Sequence, residues 1–287
     1  KGAEVAARRA VADGNRLILG PLFGDNVVTV AGVAAGARVP VISFSNDIGV
    51  AGANIYLMGQ LPGQSIGRVV DYSVRQGKTR FAALVPDSVY GQRAASAITT
   101  VTREQGATLV GIESFGRSGA SVTRAVRALD AKGAYDAVLI ADGGSAAITV
   151  APYLRRGKSG LAQFLGTELW NTESSLANSP AMRGAWFASV SDTLYRQFAD
   201  KYRARFGGLP YRISSLGYDA ILLTVRIAQD WQPRTPFPAA KLVDPGGFIG
   251  IDGAFRFRTD GTVERAMEVQ EVRSGSFAIV DPAPAKF

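Results

Sequence analysis

The sequence predicts an α/β fold in which a doubly wound parallel sheet is covered by helices on both faces. Short β-branched apolar runs alternate with Ala-rich amphipathic segments of helix length. The runs are apolar almost throughout, which is typical of strands buried on both faces rather than on one. The length of 287 residues is comfortable for two lobes.

Each element follows from a local pattern. Small apolar residues at the start recur at i, i+3 and i+4 and indicate one buried helix face, with Gly14 as its C-cap. An Ala/Val-rich helix joins the first two predicted strands, and strands are predicted at residues 17–19, 39–44, 55–58, 80–85, 108–112, 137–141 and 164–166. Further helices are predicted at residues 66–74, 94–105, 122–131, 146–154, 193–206 and 213–231.

The C-terminal tail has a different pattern. Residues 248–280 alternate strand-like runs with glycine turns, which predicts antiparallel hairpins. Asp260-Gly261 and Ser274-Gly275 are the turn signals. No low-complexity linker interrupts the chain, so we expect two lobes to be joined by several ordered crossings rather than by one tether.

Composition excludes several classes of function. The chain has no cysteine and no histidine, which removes disulfides, thiolate metal ligands and the serine–histidine pair of most hydrolases. The net charge is +8, but the arginines are dispersed over helix faces, which is typical of a solvated surface rather than of a nucleic-acid interface. The apolar runs are too short to span a bilayer. We expect no cofactor, no metal and no nucleic-acid partner.

Signatures of enzymes are not found either. No G-x-G-x-x-G follows a strand and no G-x-S-x-G is present. The GKSG of residues 157–160 lacks the upstream glycine of a phosphate loop. The sequence therefore predicts a protein that is not an enzyme.

Small and polar residues follow five of the predicted strands. Ligands of open α/β sheets bind beyond the carboxyl ends of the strands, where helix N-termini present free N–H groups. Hydroxyls, amides and carboxylates there would suit a zwitterion, although Asp, Ser and Asn are also the preferred helix N-caps. Because capping explains any single position well, the binding hypothesis depends on the convergence of five clusters. These are Phe23-Gly24-Asp25-Asn26, Ser45-Asn46-Asp47, Pro86-Asp87-Ser88, Asp142-Gly143-Gly144-Ser145 and Thr167-Glu168-Leu169-Trp170.

Several motifs occur in a defined order over the whole chain: LGPLFGDNV, VPVISFSND, the D-x-x-YG of PDSVYGQ, FLGTELW, SLGYDA and GAFRFRTDG. In this order they resemble type I periplasmic solute-binding proteins of the Leu/Ile/Val-binding group. Within that group the chain is most similar to penicillin-binding protein activators of proteobacteria. The resemblance implies two α/β lobes joined by a three-strand hinge that closes on a ligand. It assigns residues 1–59 and 191–261 to the first lobe, and residues 60–190 and 262–287 to the second.

The resemblance also implies which residues bind the ligand. The loops at Gly24 and at residues 45–47 would bind the α-carboxylate and ammonium of an amino acid. Tyr90 would cover the ligand from the other lobe, and Glu168 would take the ammonium. We expect Glu168, Tyr90 and the 45–47 loop to face each other across a cleft. The full predicted set is Phe23, Gly24, Asp25, Ser45, Asn46, Asp47, Tyr90, Asp142, Gly143, Glu168 and Trp170.

Several positions depart from the amino-acid-binding relatives. Gly24 stands where those relatives carry a hydroxyl, and Asp47 stands where they use a threonine. Asp142 and the two glycines after it replace an expected aromatic residue. Family members also begin with a strand, a helix and a second strand that this chain lacks, and the first of these strands is central to its sheet. Since native proteins avoid an unpaired buried strand edge, we expect a preceding N-terminal segment, with which an export signal or a lipid anchor would be compatible.

Two functions that are not enzymatic stay open. In the first, a periplasmic protein captures a small polar, amino-acid-like ligand and presents it to the permease of an ABC-type transporter. In the second, a lipoprotein-type activator uses the same scaffold to dock onto a penicillin-binding protein. Overall similarity favours the second function, whereas the retained Tyr90 and Glu168 favour the first. A ligand-sensing repressor core ranks last, because the chain has no DNA-reading helix.

Overall fold

The computed structural model describes residues 2–52, 54–171, 173–232, 234–284 and 287. The chain divides into two compact units. Unit 1 comprises Lys1–Leu61, Ser191–Ala266 and Pro284–Phe287. Unit 2 comprises Pro62–Val190 and Met267–Ala283. Both units combine helices with β-sheet, so the predicted α/β class is confirmed.

Helices and strands alternate along most of the chain, as the apolar pattern predicts. The helices are α1 (Gly2–Ala12), α2 (Gly24–Ala37), α3 (Pro62–Arg75), α4 (Val89–Glu104), α5 (Gly119–Lys132), α6 (Gly144–Arg155), α7 (Ser175–Asn178), α8 (Thr193–Phe206) and α9 (Ser214–Ala228). The strands are β1 (Ile18–Leu19), β2 (Val41–Ser43), β3 (Ile55–Leu57), β4 (Arg80–Pro86), β5 (Thr108–Phe115), β6 (Ala137–Ile140), β7 (Gln163–Gly166), β8 (Trp186–Ser189), β9 (Phe248–Gly250), β10 (Gly253–Phe257), β11 (Val263–Arg265), β12 (Glu268–Arg273) and β13 (Ser276–Asp281).

Unit 1 contains two small sheets. Strands β1, β2 and β3 form a parallel sheet in that order, and β11, β10 and β9 form an antiparallel one. Helix α2 buries Val27, Val30 and Ala34, which share one face because they are three, four and seven residues apart. This apolar face packs into a core that also contains Ile42 and Phe255.

Unit 2 is built on one seven-stranded sheet in the order β13-β12-β8-β7-β6-β4-β5. Strands β4 to β8 pair in parallel, and the β12–β13 hairpin is antiparallel, as its Ser274-Gly275 turn predicts. Strand β6 is buried at every residue, because core clusters lie on both faces of the sheet. The carboxyl ends of the parallel strands therefore bring the loops after β4, β6 and β7 to one edge.

The sequence did not predict strand β8. The predicted elements pass from the strand at residues 164–166 to the helix at residues 193–206. Between them the structure has the four-residue helix α7, short 3-10 turns and then β8. Several helices also begin earlier in the chain than predicted. Helix α4 was predicted from residue 94 but begins at Val89, where the side chain of the N-cap residue Ser88 accepts a hydrogen bond from the Gly91 N–H.

Unit 1 exposes an apolar groove along α8 and α9. The groove has a volume of about 700 Å³, and its lining contains Phe198, Tyr202, Tyr218 and Ile221. Ile221 is 54% exposed. A contiguous exposed apolar surface is unusual for a water-soluble protein and binds apolar probes.

We expect the groove to bind the dye anilinonaphthalene sulfonate in the native protein. Ile221→Gln should reduce the dye fluorescence while changing the free energy of unfolding by less than about 0.5 kcal/mol, because the side chain is exposed. Leu161→Gln is the matched control, since Leu161 is fully exposed and does not line the groove. Equal fluorescence of the wild-type and Ile221→Gln proteins would contradict this assignment.

Candidate functional site

The predicted acid Glu168 lies directly after β7, in a short 3-10 turn that ends at Trp170. Its side chain is buried, and both carboxyl oxygens accept hydrogen bonds from hydroxyl groups of unit 2. The Ser65 hydroxyl donates to Oε2, and the Tyr90 hydroxyl donates to Oε1 at 3.0 Å. Burial raises the pKa of Glu168, and the two hydroxyl donors act against that rise by stabilising the charged form.

Tyr90 lies in the first turn of α4, which begins at the carboxyl end of β4. Its hydroxyl also lies 2.9 Å from the Thr167 hydroxyl. Burial raises the pKa of Tyr90 above its ordinary value, and the charge of Glu168 raises it further. The phenol is therefore a neutral hydrogen-bond donor at physiological pH.

Asp142 follows β6 and is fixed from several directions. It is 8% exposed, and its Oδ1 accepts a hydrogen bond of 2.7 Å from the Gly143 N–H. Its Oδ2 forms an ion pair of 3.1 Å with Nη1 of Arg117. The indole of Trp170 donates a hydrogen bond of 3.0 Å to the Asp142 carbonyl. The side chain of Asp142 therefore has one orientation, set by the backbone of its own loop and by a neighbouring cation.

These loops enclose a cavity of about 340 Å³ within unit 2. The volume is at the small end of the range for ligand pockets. The cavity is lined by Pro86, Asp87, Ser88, Tyr90, Phe115, Gly116, Arg117, Asp142 and Leu169. Its lining combines apolar side chains with a few hydroxyl, carboxylate and guanidinium groups, which is the composition of a site for a small polar molecule.

The predicted loops of unit 1 also meet. The buried Ser45 hydroxyl accepts from the Asp47 N–H at 3.1 Å, and Asp47 accepts from the Gly49 N–H at 3.0 Å. A Cβ atom at Gly24 would lie 3.0 Å from Oδ2 of Asp47. The two departures from the relatives are therefore linked, because the longer Asp47 occupies space that a side chain at position 24 would need.

Comparison with known families decides the identity of the fold. The model of a family described as periplasmic binding protein matches residues 1–276, which is nearly the whole chain. The chain belongs to the periplasmic binding protein family. It is of type I and resembles the Leu/Ile/Val-binding group, as the motif order implies. A comparison with curated protein sequences gives no match.

Solved structures of the same fold come from several bacteria. A putative branched-chain amino acid ABC transporter protein from Rhodospirillum rubrum is 18% identical with a TM-score of 0.81, over 97% of this chain and 84% of that one. An ABC transporter substrate-binding protein from Desulfitobacterium hafniense in complex with Leu is 19% identical with a TM-score of 0.73, over 97% and 84%. A leucine-binding protein from Thermotoga maritima is 17% identical with a TM-score of 0.64, over 96% and 82%. At these identities the likeness shows the fold alone.

Membership in the family indicates the general function, location and partners of the protein. Periplasmic binding proteins bind solutes and are not enzymes, and membership implies a periplasmic or extracellular location. It also implies a small-molecule ligand and a transporter permease as partner. Among the described residues, no helix of this periplasmic binding protein has the length and hydropathy needed to cross a membrane.

The structure brings together part of the predicted site within each unit. Tyr90 and Glu168 are hydrogen-bonded in unit 2, and Gly24 and Asp47 are neighbours in unit 1. Trp170 differs from the expectation of a ligand contact, because its ring is fully buried in the core of unit 2. Phe23 precedes α2, Asp25 lies in the first turn of α2, and Asn46 lies in the loop after β2; all three residues are exposed.

Sequence reasoning missed two residues of this periplasmic binding protein. Ser65 lies in the first turn of α3, and nothing in its local pattern indicates that it reaches a carboxylate 103 positions away. Arg117 follows β5 in a loop whose only signal is its place at a strand end. Because the carboxyl ends of parallel strands share one edge, the loop after β5 could have been added to the five clusters on that argument.

Proposed function

We propose that this periplasmic binding protein captures a small polar, amino-acid-like ligand and delivers it to the permease of an ABC-type transporter. The observation that carries the proposal is the buried carboxyl of Glu168, held in one position by Ser65 and Tyr90 beside a ligand-sized cavity. The leucine complex of the Desulfitobacterium hafniense neighbour supports an amino acid as the ligand. The proposal includes that the protein has no catalytic activity.

Glu168 is suited to hold an ammonium group. A carboxylate offers about four acceptor positions, and the two hydroxyl donors leave room for a cation. In a buried site the attraction between opposite charges is much stronger than in water, so an ammonium would offset the cost of keeping Glu168 ionised. Tyr90 lines the cavity and donates to Glu168, so it would lie against a molecule bound there.

A thermal-shift screen against the common amino acids tests the proposal. A ligand at about a hundred times its Kd should stabilise the protein by roughly 2.7 kcal/mol, a rise of several degrees in Tm. Glu168→Ala should abolish the shift, whereas Glu104→Ala, on the same unit at the far end of α4, should retain it. A flat response across the panel would contradict the proposal and favour the activator function that the sequence also predicts.

We expect ligand affinity to rise with pH. Burial raises the pKa of Glu168, so part of the population is protonated at mildly acidic pH and cannot pair with an ammonium. The complex holds fewer protons than the free protein, and affinity therefore increases as pH rises through the pKa of Glu168. Calorimetry between about pH 5 and pH 8 should show this increase together with proton release on binding. Proton uptake on binding would contradict this sign.

A further inference from the structure

The two oxygens of the Glu168 carboxyl differ in how the protons around them can be arranged. On one side the Tyr90 hydroxyl donates to Oε1 at 3.0 Å and lies 2.9 Å from the Thr167 hydroxyl. Because Tyr90 uses its single proton toward Glu168, Thr167 donates to Tyr90, and each of these oxygen–oxygen contacts contains a proton. This side is satisfied whether Glu168 is charged or neutral.

On the other side, Ser65 meets two acceptors with a single proton. Its Oγ is in hydrogen-bond contact with Oε2 of Glu168 and lies 3.0 Å from the carbonyl oxygen of Pro62. If Glu168 is ionised, Ser65 donates to Oε2, and its contact with the Pro62 carbonyl contains no proton. If Glu168 is neutral, the acid donates its own proton to Ser65, which then donates to Pro62. The neutral acid therefore places a proton in every close oxygen–oxygen contact of this network, and the carboxylate does not.

The surroundings of Glu168 contain no charge that would stabilise a carboxylate. Glu168 is 7% exposed, and Ser65 is fully buried. Burial raises the pKa of Glu168, and the groups that act against this rise are hydroxyls and its own backbone rather than a cation. The ionisable side chain in contact with it is Tyr90 on α4, and the charge of Asp142 beyond that ring is paired with Arg117. Since a buried carboxylate without a cation is costly, the free site favours the protonated form.

We propose that Glu168 is a neutral carboxylic acid in the ligand-free protein at neutral pH, and that Ser65 is the positioning residue that accepts its proton in a hydrogen bond. When a ligand ammonium arrives, the proton leaves Oε2 for the solvent, and the Ser65 hydroxyl turns from the Pro62 carbonyl to Oε2. The carboxylate then pairs with the ammonium, so a positive charge enters as a proton leaves. This exchange rests on the proposed function, in which Glu168 takes the ammonium, whereas the protonation of the free site does not.

Infrared spectroscopy tests the protonation of Glu168 without a ligand. A neutral carboxyl group has a C=O stretching band that a carboxylate lacks. At about pH 7 the ligand-free protein should show this band for Glu168, and Glu168→Gln should lose it. Glu104→Gln, at an exposed position on α4, is the control that should leave the band unchanged. If Glu168→Gln loses no such band, the proposal is overturned and the solute-binding function stands.

Ser65→Ala tests the positioning role. Hydrogen bonds to a charged acceptor are stronger than those to a neutral one, so the loss of the hydroxyl destabilises the ionised state more than the neutral state. The infrared band should therefore persist to higher pH in Ser65→Ala than in the wild-type protein. Ser73→Ala is the matched control, because Ser73 is also fully buried on α3 but donates to the Val69 carbonyl at 2.7 Å. A structural role alone would lower stability without moving the titration, and equal titrations in the two variants would overturn the role of Ser65.

Titration calorimetry in phosphate and in Tris buffer measures the proton exchange, because the two buffers differ in their enthalpy of ionisation. With the common amino acid that gives the largest thermal shift, we expect release of about one proton per bound molecule near pH 7. Binding without proton release would overturn the exchange and leave the solute-binding function standing. If no amino acid binds, the proposed function and the exchange both fail, and the infrared band alone decides whether Glu168 is neutral.

Discussion

Replacing Asp252 by alanine is expected to lower the free energy of unfolding of unit 1 by about 3–5 kcal/mol. Asp252 is fully buried and accepts hydrogen bonds from two side chains. Arg212 donates through Nη1 to Oδ1, and the Ser215 hydroxyl donates to Oδ2 at 2.8 Å. Removing one member of a buried ion pair leaves the other charge without its partner. The resulting loss in the free energy of unfolding is larger than the net stability that the intact pair contributes.

The surroundings of Arg212 make this cost hard to avoid. Its side chain is 15% exposed and lies over the ring of Tyr195 at 3.9 Å. Its remaining carboxylate partner, Asp192, lies at 3.3 Å and is 30% exposed. Because Tyr195 covers one face of the guanidinium, the charge of Arg212 remains largely shielded from solvent in Asp252→Ala.

Hydrogen exchange in increasing urea would measure the loss separately in each unit, since a protein of two units need not unfold in one step. Peptides from α8 and α9 should exchange at lower urea in Asp252→Ala, while those from β4 to β6 should not change. The matched control is Asp200→Ala, which removes an exposed partner of Arg203 at 2.6 Å. This control should cost less than about 1 kcal/mol. Equal losses in the two variants would contradict the prediction.

The fold was largely predictable because its strands carry a local signal. The run that forms β6 is apolar at every position, and a strand covered on both faces needs such a run. The Ser274-Gly275 turn was also predictable from the sequence, because Gly275 has a φ of +73°, which glycine adopts without strain. Strand β8 was not predicted, and in the structure it follows short turns rather than a full helix.

The site was predictable only in part, because its chemistry depends on contacts between distant positions. Tyr90 and Glu168 were found through their motifs, and the structure shows them hydrogen-bonded. Ser65 and Arg117 become meaningful only through the partners they reach, which no local pattern encodes. The departures at Gly24 and Asp47 looked independent in the sequence, and only their proximity shows that one accommodates the other.

Trp170→Ala is expected to lower the stability of unit 2 by about 3–5 kcal/mol. The ring has no exposed surface, contacts Phe187 in the core and fills the space above Gly166, where a Cβ atom would lie 2.2 Å from the indole. Truncation therefore leaves a cavity, and it also removes the donor to the Asp142 carbonyl. Hydrogen exchange of β6 and β7 peptides in urea would report the loss of stability.

Trp170→Phe separates packing from the hydrogen bond. Phenylalanine keeps much of the ring but has no N–H, so the Asp142 carbonyl loses its donor at a cost of about 1–3 kcal/mol. The loop after β6 should then exchange faster in Trp170→Phe, because the Asp142 carbonyl loses its hydrogen bond to the core. An unchanged loop in Trp170→Phe would show that the indole serves packing alone. The buried indole thus combines packing in the core of unit 2 with a hydrogen bond that anchors the loop after β6.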